Sequence, residues 1–165
     1  MKLVKNFRSH NSILKFPNDR FYKGELQPCG HPQTIDSMIG SPQLVSKTFP
    51  VVFHAMSGKD DREASSPSFF NIDEVTQVKT YVQELRPDRR FRISKLFNSP
   101  TLNYTSSIGL TADRDIGIIA PYHAQCLKIR AVLRPIADGI KVGSVEEFQG
   151  QVCSLRVASG SRHLN

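Results

Sequence analysis

Residues 73–77 read DEVTQ, two adjacent acids with a glutamine three positions after the second. Many nucleic-acid-dependent ATPases hold Mg²⁺ with a box of this spacing. Its chemistry needs the aspartate at the end of a buried strand, beside a loop that cradles phosphates. Here the acids follow Asn71, a residue type suited to a helix N-cap, and they open a stretch with helical periodicity. They therefore read as first-turn carboxylates that complement a helix dipole. The preceding SPSFFN is no strand flank, and no G-x-x-x-x-G-K-[ST] occurs; Gly58 and Lys59 have no upstream glycine partner. No metal is expected here. A zinc site drawn from Cys29 and His31 with Cys126 or His54 is also not expected, because no pair has C-x-x-C spacing. The three cysteines, Cys29, Cys126 and Cys153, are odd in number and far apart, which suits a reducing compartment.

The elements that must position any site follow from periodicity. LVKN at 3–6, PVVFHAM at 50–56, DIGIIAP at 115–121 and IKVGS at 140–144 read as buried strands, being short, rich in Val and Ile, and bounded by polar, Gly or Pro residues. A helix is predicted over 71–85, with Asn71 as N-cap and Val75, Val78, Val82 and Leu85 on one apolar face. Another is predicted from Pro121, at its first position, to about Arg134, with Ala124, Leu127, Ala131 and Val132 inward. An earlier helix covers Asn11 to Tyr22, interrupted or kinked near Pro17. Strands alternating with helices imply an α/β domain, a doubly wound and mainly parallel sheet with helices on both faces. Residues 86–114 break this rhythm and read as a basic surface insertion, a candidate for disorder.

The 165 residues carry a formal charge of +7, unevenly spread. Residues 1–31 are net +4, 32–85 net −3, 86–114 net +4 and the remainder net +2. Basic patches of this kind attract phosphate backbones, although a solvated basic surface gives the same counts. No run approaches the roughly 20 apolar residues of a membrane span, and MKLVKNFRSH lacks the apolar segment of a signal peptide. No membrane partner is expected.

Four motifs in order carry a resemblance. KNFRSH at 5–10 with ILKFPNDRFYKGEL at 13–26, IIAPYHAQ at 118–125 and KVGSVEEFQGQ at 141–151 resemble the second RecA-like domain of Upf-one-type superfamily 1 helicases. FPVVFHAMSGKDDREASSPSFFNIDEV at 49–75 is similar to the Moloney leukaemia virus 10 family of RNA helicases, which includes Armitage. The resemblance implies a RecA-like domain over 1–151 with the insertion at 86–114. It also implies ATP-driven RNA remodelling, a role in RNA silencing, and a cytoplasmic setting in RNA granules.

In that family ATP lies between two RecA-like domains, the first supplying the phosphate loop and the Mg²⁺-binding acids. The match puts Phe7 where an aromatic stacks on adenine and Arg8 where an arginine reaches the γ-phosphate. A guanidinium suits that role, offering several donors and neutralising charge that grows in the transition state. Gly150 would let backbone approach the nucleotide, with Gln149 and Gln151 as uncharged donors and acceptors. Tyr122, Gln125, Gly143 and Ser144 fall on the side facing single-stranded RNA, where Lys128 could add charge. The same residues also serve plain structure: Phe7 and Tyr122 as packing, Arg8 as a surface ion pair, Gly150 as a turn.

The match stops after Gln151. Val152 stands where the family has a glutamate, and residues 152–165 form a divergent tail without a second arginine finger, although Cys153, Leu155 and Val157 alternate as a strand would. The fold is thus expected to be incomplete at the C-terminus and inactive as an ATPase by itself. ATP and Mg²⁺ would bind only with a first RecA-like domain. The expected partners are single-stranded RNA, that first domain, and partners of a full-length helicase. The alternative is a non-catalytic RNA- or protein-binding fragment that competes with the full-length enzyme.

Overall fold

The periodic stretches become elements in a computed structural model that describes residues 2–64, 67–87, 113–151 and 155–160. The described residues divide into two compact units, one through His54 and the other from Ala55 onward.

In the first unit, β1 (Lys5–Asn6) runs parallel to β2 (Gln27–Pro28). Helix α1 (Asn11–Phe21) joins them, capped by His10, whose ring nitrogen Nδ1 accepts the Ser12 N–H at 3.1 Å. Pro17 lies inside this helix without interrupting it, so the expected break there does not occur. A short α2 (Pro32–Ile35) follows, with the proline at its start. Leu14, Met38 and Leu44 form the buried centre.

The expected strand at 50–56 does not form. Residues 51–60 adopt no regular structure, and Phe53 is 83% exposed. An apolar run supplies strand propensity, but a strand exists only where a neighbouring backbone completes its ladder. Among the described residues no such neighbour pairs with it.

The second unit contains an antiparallel pair, β3 (Asp61–Arg62) and β4 (Phe69–Phe70). Helix α3 (Ile72–Leu85) follows with its predicted cap, the Asn71 side chain accepting from the N–H groups of Asp73 and Glu74. Its buried residues are Val75, Val78, Val82 and Leu85, the predicted stripe. Next come β5 (Ile116–Ile119), helix α4 (His123–Ala137), β6 (Lys141–Gly143) and β7 (Leu155–Ala158). The sheet order is β6-β5-β7, parallel throughout. Ile116, Gly117 and Ile118 are consecutively buried, which is how a central strand covered on both faces reads. Helix α4 is the crossover that a parallel pair requires.

Two expectations about α4 need correction. Pro121 precedes the helix rather than opening it, because Tyr122 is extended (φ −111°, ψ 136°) and serves as N-cap. The buried face is Ala124, Gln125, Cys126, Ile129, Leu133 and Ala137, so of the expected inward set only Ala124 is fully buried, and Leu127 is 42% exposed. A polar residue, Gln125, takes a core position that an apolar stripe cannot reveal.

The insertion at 86–114 lies outside the described residues except at its ends. There the Arg86 Nε donates to Asp113 Oδ1 at 3.0 Å, drawing the two ends together. Most of the divergent tail is likewise outside them, but Leu155–Ala158 does form a strand along β5.

Candidate nucleotide and nucleic-acid site

In the first unit, the residue that shapes the candidate site is Asn6. Its main-chain carbonyl accepts the Cys29 N–H at 2.7 Å, holding it in the sheet. Its side-chain oxygen then accepts from the N–H of Arg8 at 3.0 Å and of Ser9 at 2.9 Å, folding the chain into an Asx-type turn. Phe7 sits in this turn with 62% of its surface exposed. The Arg8 side chain is exposed and forms no ion pair among the described residues. Gly30 crosses behind: a Cβ there would lie 2.9 Å from the Phe7 carbonyl oxygen, so a side chain would displace the turn. His10 closes the segment, its Nε2 lying 3.5 Å from Asp36.

An exposed ring beside an unpaired guanidinium, on a turn fixed by side-chain hydrogen bonds, can stack on a base and donate to a phosphate. These residues fit one part of a nucleotide. They do not fit Mg²⁺, since no cluster of metal-ligating side chains occurs among the described residues. DEVTQ supplies none: Asp73 lies in the first turn of α3, and the Glu74 carboxylate accepts from Gln125 at 3.2 Å and from the Ser159 hydroxyl at 2.5 Å.

In the second unit, the parallel strands bring their carboxyl ends to one side. The chain moves from β5 to β6 on one flank and then to β7 on the other, so the β5–β7 boundary is a switch point, where open α/β sheets usually form a crevice. Gln125 occupies it. The side chain is fully buried; its oxygen accepts the Asn71 N–H at 2.8 Å and its nitrogen donates to Ser159 Oγ at 3.0 Å. Gln125 therefore spends its amide on protein groups, and its position is that of a structural hub.

Tyr122 is half-buried, and its ring meets Phe69 edge-on at 5.7 Å. Gly143 is buried at the end of β6, where a Cβ would run into the Glu147 carboxylate. Ser144 is half-buried; its hydroxyl and a backbone hydrogen bond hold the exposed Glu146 carboxyl below the usual range. Glu147 is 3.3 Å from Arg130. A phosphate approaching Ser144 would thus meet two carboxylates, one of them paired.

Gly150 has φ +72° with open space where a Cβ would be, so conformation rather than space favours glycine there. Gln151 is exposed, and its main-chain N–H donates to Phe148 at 3.1 Å. Lys128 lies over the Phe70 ring, 4.8 Å from its centre. Asn6, Gly30, Arg62, Phe69 and Ser159 were not legible as contributors. Only the asparagine before Phe7 and the glycine after Cys29 left local signals.

A model of the AAA domain family matches residues 1–164. The chain belongs to this family. Within the AAA domain family it is similar to "Putative helicase mov-10-B.1" of Danio rerio, 37% identical over 169 residues, covering 98% of this chain and 15% of that protein. It is 40% identical over 162 residues to "RNA helicase Mov10l1" of Mus musculus, covering 98% of this chain and 12% of the relative. "Putative helicase MOV-10" of Gallus gallus is 40% identical over 161 residues, covering 91% of this chain and 15% of the relative. The chain spans a small part of the length of the curated relatives it matches. Together with the parallel sheet, these likenesses place this AAA domain among the Upf-one-type superfamily 1 helicases of the Moloney leukaemia virus 10 family, with an α/β RecA-like fold. No helix among the described residues is long and apolar enough to cross a membrane.

Proposed function

We propose that this chain is the second RecA-like part of an ATP-dependent RNA helicase, with Phe7 stacking on adenine and Arg8 reaching the γ-phosphate. The observation that carries the reading is the Asn6-held turn, which leaves the Phe7 ring and the Arg8 side chain exposed at consecutive positions. RNA is the proposed substrate, in keeping with the name of the mouse relative. The proposed setting is cytoplasmic RNA silencing, by family likeness. Gly150 and Gln151 would lie near the nucleotide, while Tyr122 and Ser144 would face RNA with Gln125 and Gly143 shaping the backbone beneath them. Bound ATP would supply the phosphoryl group and Mg²⁺ the charge neutralisation, with the metal held by a first RecA-like domain. This chain's residues would orient the base and offset phosphate charge.

The test is ATP hydrolysis. Alone, the chain is expected to show no turnover above a Phe7→Ala/Arg8→Ala control. Mixed with a phosphate-loop domain from the mouse relative, it is expected to support turnover that Arg8→Ala lowers by about 10³-fold or more, as for other arginine fingers. Turnover by the chain alone, or complemented turnover indifferent to Arg8→Ala, overturns the assignment.

A second reading is a non-catalytic RNA- or protein-binding module that competes with a full-length helicase. It is favoured by the cations that lie over aromatic rings near Tyr122, Arg62 over Phe69 and Lys128 over Phe70. Inhibition of a full-length relative by the added chain, without ATP turnover in any mixture, would select it.

A further inference from the structure

The β3–β4 pair is fastened to the start of α4 by Ser68, whose hydroxyl accepts the Ala124 N–H at 3.0 Å. Its register places Arg62 opposite Phe69 and Asp61 opposite Phe70. Because side chains alternate along a strand, these two pairs occupy opposite faces. On one face the Arg62 guanidinium carbon is 5.9 Å from the Phe69 ring centre, and Phe69 meets Tyr122 at an interplanar angle of 68°. On the other, Lys128 from α4 lies over Phe70.

The charges separate in a useful way. Neither Arg62 nor Lys128 forms an ion pair among the described residues. Of the neighbouring acids, Asp60 accepts from the Asn71 side-chain amide at 3.0 Å, Asp61 lies 4.0 Å from Lys59, and Glu63, the residue after Arg62, forms no ion pair among the described residues. The Tyr122 hydroxyl has no hydrogen-bond partner among the described residues. The result is a half-exposed aromatic cluster flanked by cations that no carboxylate holds. Single-stranded nucleic acid needs this combination, a π-face for a base and a cation for the adjoining phosphate.

We propose that Arg62 and Phe69 of the β3–β4 pair, with Tyr122 at the start of α4, form a stacking platform for single-stranded RNA. The proposal rests on the RNA reading of Tyr122 and adds a second element of the fold to it. Stacking on Phe69 and Tyr122 is tolerant of sequence, so the platform grips RNA without reading bases. Arg62 is exposed and able to swing from the ring to a phosphate, and Lys128 stands on the opposite face as a second cation.

The experiment is fluorescence anisotropy of a labelled oligouridine titrated with the full chain at several salt concentrations. Phe69→Leu keeps apolar bulk but removes the aromatic face, and is expected to weaken binding about 10-fold, within the range for loss of one stacked base. Arg62→Gln is expected to weaken binding at low salt and reduce the log–log salt slope by about 0.7, one phosphate contact for a single strand. Thermal melts accompany each variant; if Phe69→Leu unfolds, the exposed Arg62→Gln decides. Loss of binding in Tyr122→Leu with no change in Arg62→Gln or a folded Phe69→Leu overturns the platform and leaves the RNA reading standing. No binding by the unsubstituted chain at low salt overturns both. Losses in all three variants support both.

Discussion

The Gln125 side-chain oxygen accepts the Asn71 N–H at 2.8 Å, joining the cap of α3 to the first turn of α4. Its nitrogen donates to Ser159 just after β7, so one buried amide gathers three separate segments. The Asn71 N–H sits in a buried residue, and leaving such a group unpaired costs about 1–3 kcal/mol. Gln125→Leu is therefore expected to lower Tm by several degrees in a circular-dichroism melt. Gln125→Glu is expected to be worse, because it sets a second carboxylate against Glu74. A variant that melts with the parent would remove Gln125 from its place as hub.

Asn71 does two things with one side chain. Its oxygen caps α3, and its nitrogen donates to Asp60 at 3.0 Å. Asn71→Ala is expected to cost about 1–2 kcal/mol, the upper part of the range for lost caps. Asn71→Ser should recover the cap but not the Asp60 bond, and so fall between. Urea denaturation midpoints at constant m would rank the three.

Gly150 tests conformation without crowding. Its φ of +72° is the left-handed region, and no atom lies within 4 Å of the place a Cβ would take. Gly150→Ala is expected to destabilise by about 1 kcal/mol from backbone strain, and Gly150→Asn by less, since asparagine visits that region more readily. Equal stability of alanine and glycine in a urea titration would mean the turn relaxes.

Glu146 links the GS motif to pH. The Ser144 hydroxyl and then a backbone hydrogen bond hold its carboxyl below the ordinary range. The folded value lies below the unfolded one, so this interaction is present above the unfolded value and is lost as pH falls through the folded value. Ser144→Ala is expected to move the Glu146 titration up towards an ordinary glutamate, read by NMR of its side-chain carbon. No movement would assign the depression to the backbone bond.

The described cysteines should differ in reactivity. Burial pushes the Cys126 thiol up, with nearby Arg130 opposing this by less, whereas Cys29 is exposed. A thiol reagent at neutral pH is expected to modify Cys29 in the folded chain and Cys126 only on unfolding. Equal rates would show that α4 opens readily.

What the sequence by itself determined is local. Asn71 and the four apolar residues of α3 announced the helix, its cap and its buried face, because capping and 3.6-residue periodicity act within a few residues. The strands around Ile118 and Val142 were legible as short apolar runs, and DEVTQ was legible as a helix start. The motifs also carried the family likeness, with Phe7 and Arg8 as candidates.

Tertiary structure decided whatever depends on a distant partner. VVFHAM has strand composition yet finds no ladder among the described residues, since hydrogen bonds between strands are supplied by another segment. Gln125 is inside because Asn71, Glu74 and Ser159 satisfy its amide, and no periodicity records that. Asn6 and Gly30 shape the Phe7–Arg8 turn through a side-chain acceptor and a close backbone approach. Arg62 and Phe69 meet Tyr122 only because the register of β3 and β4 and the Ser68 bond bring them there. Residue types set what each group can do, and the folded chain sets which groups are within hydrogen-bonding or stacking distance.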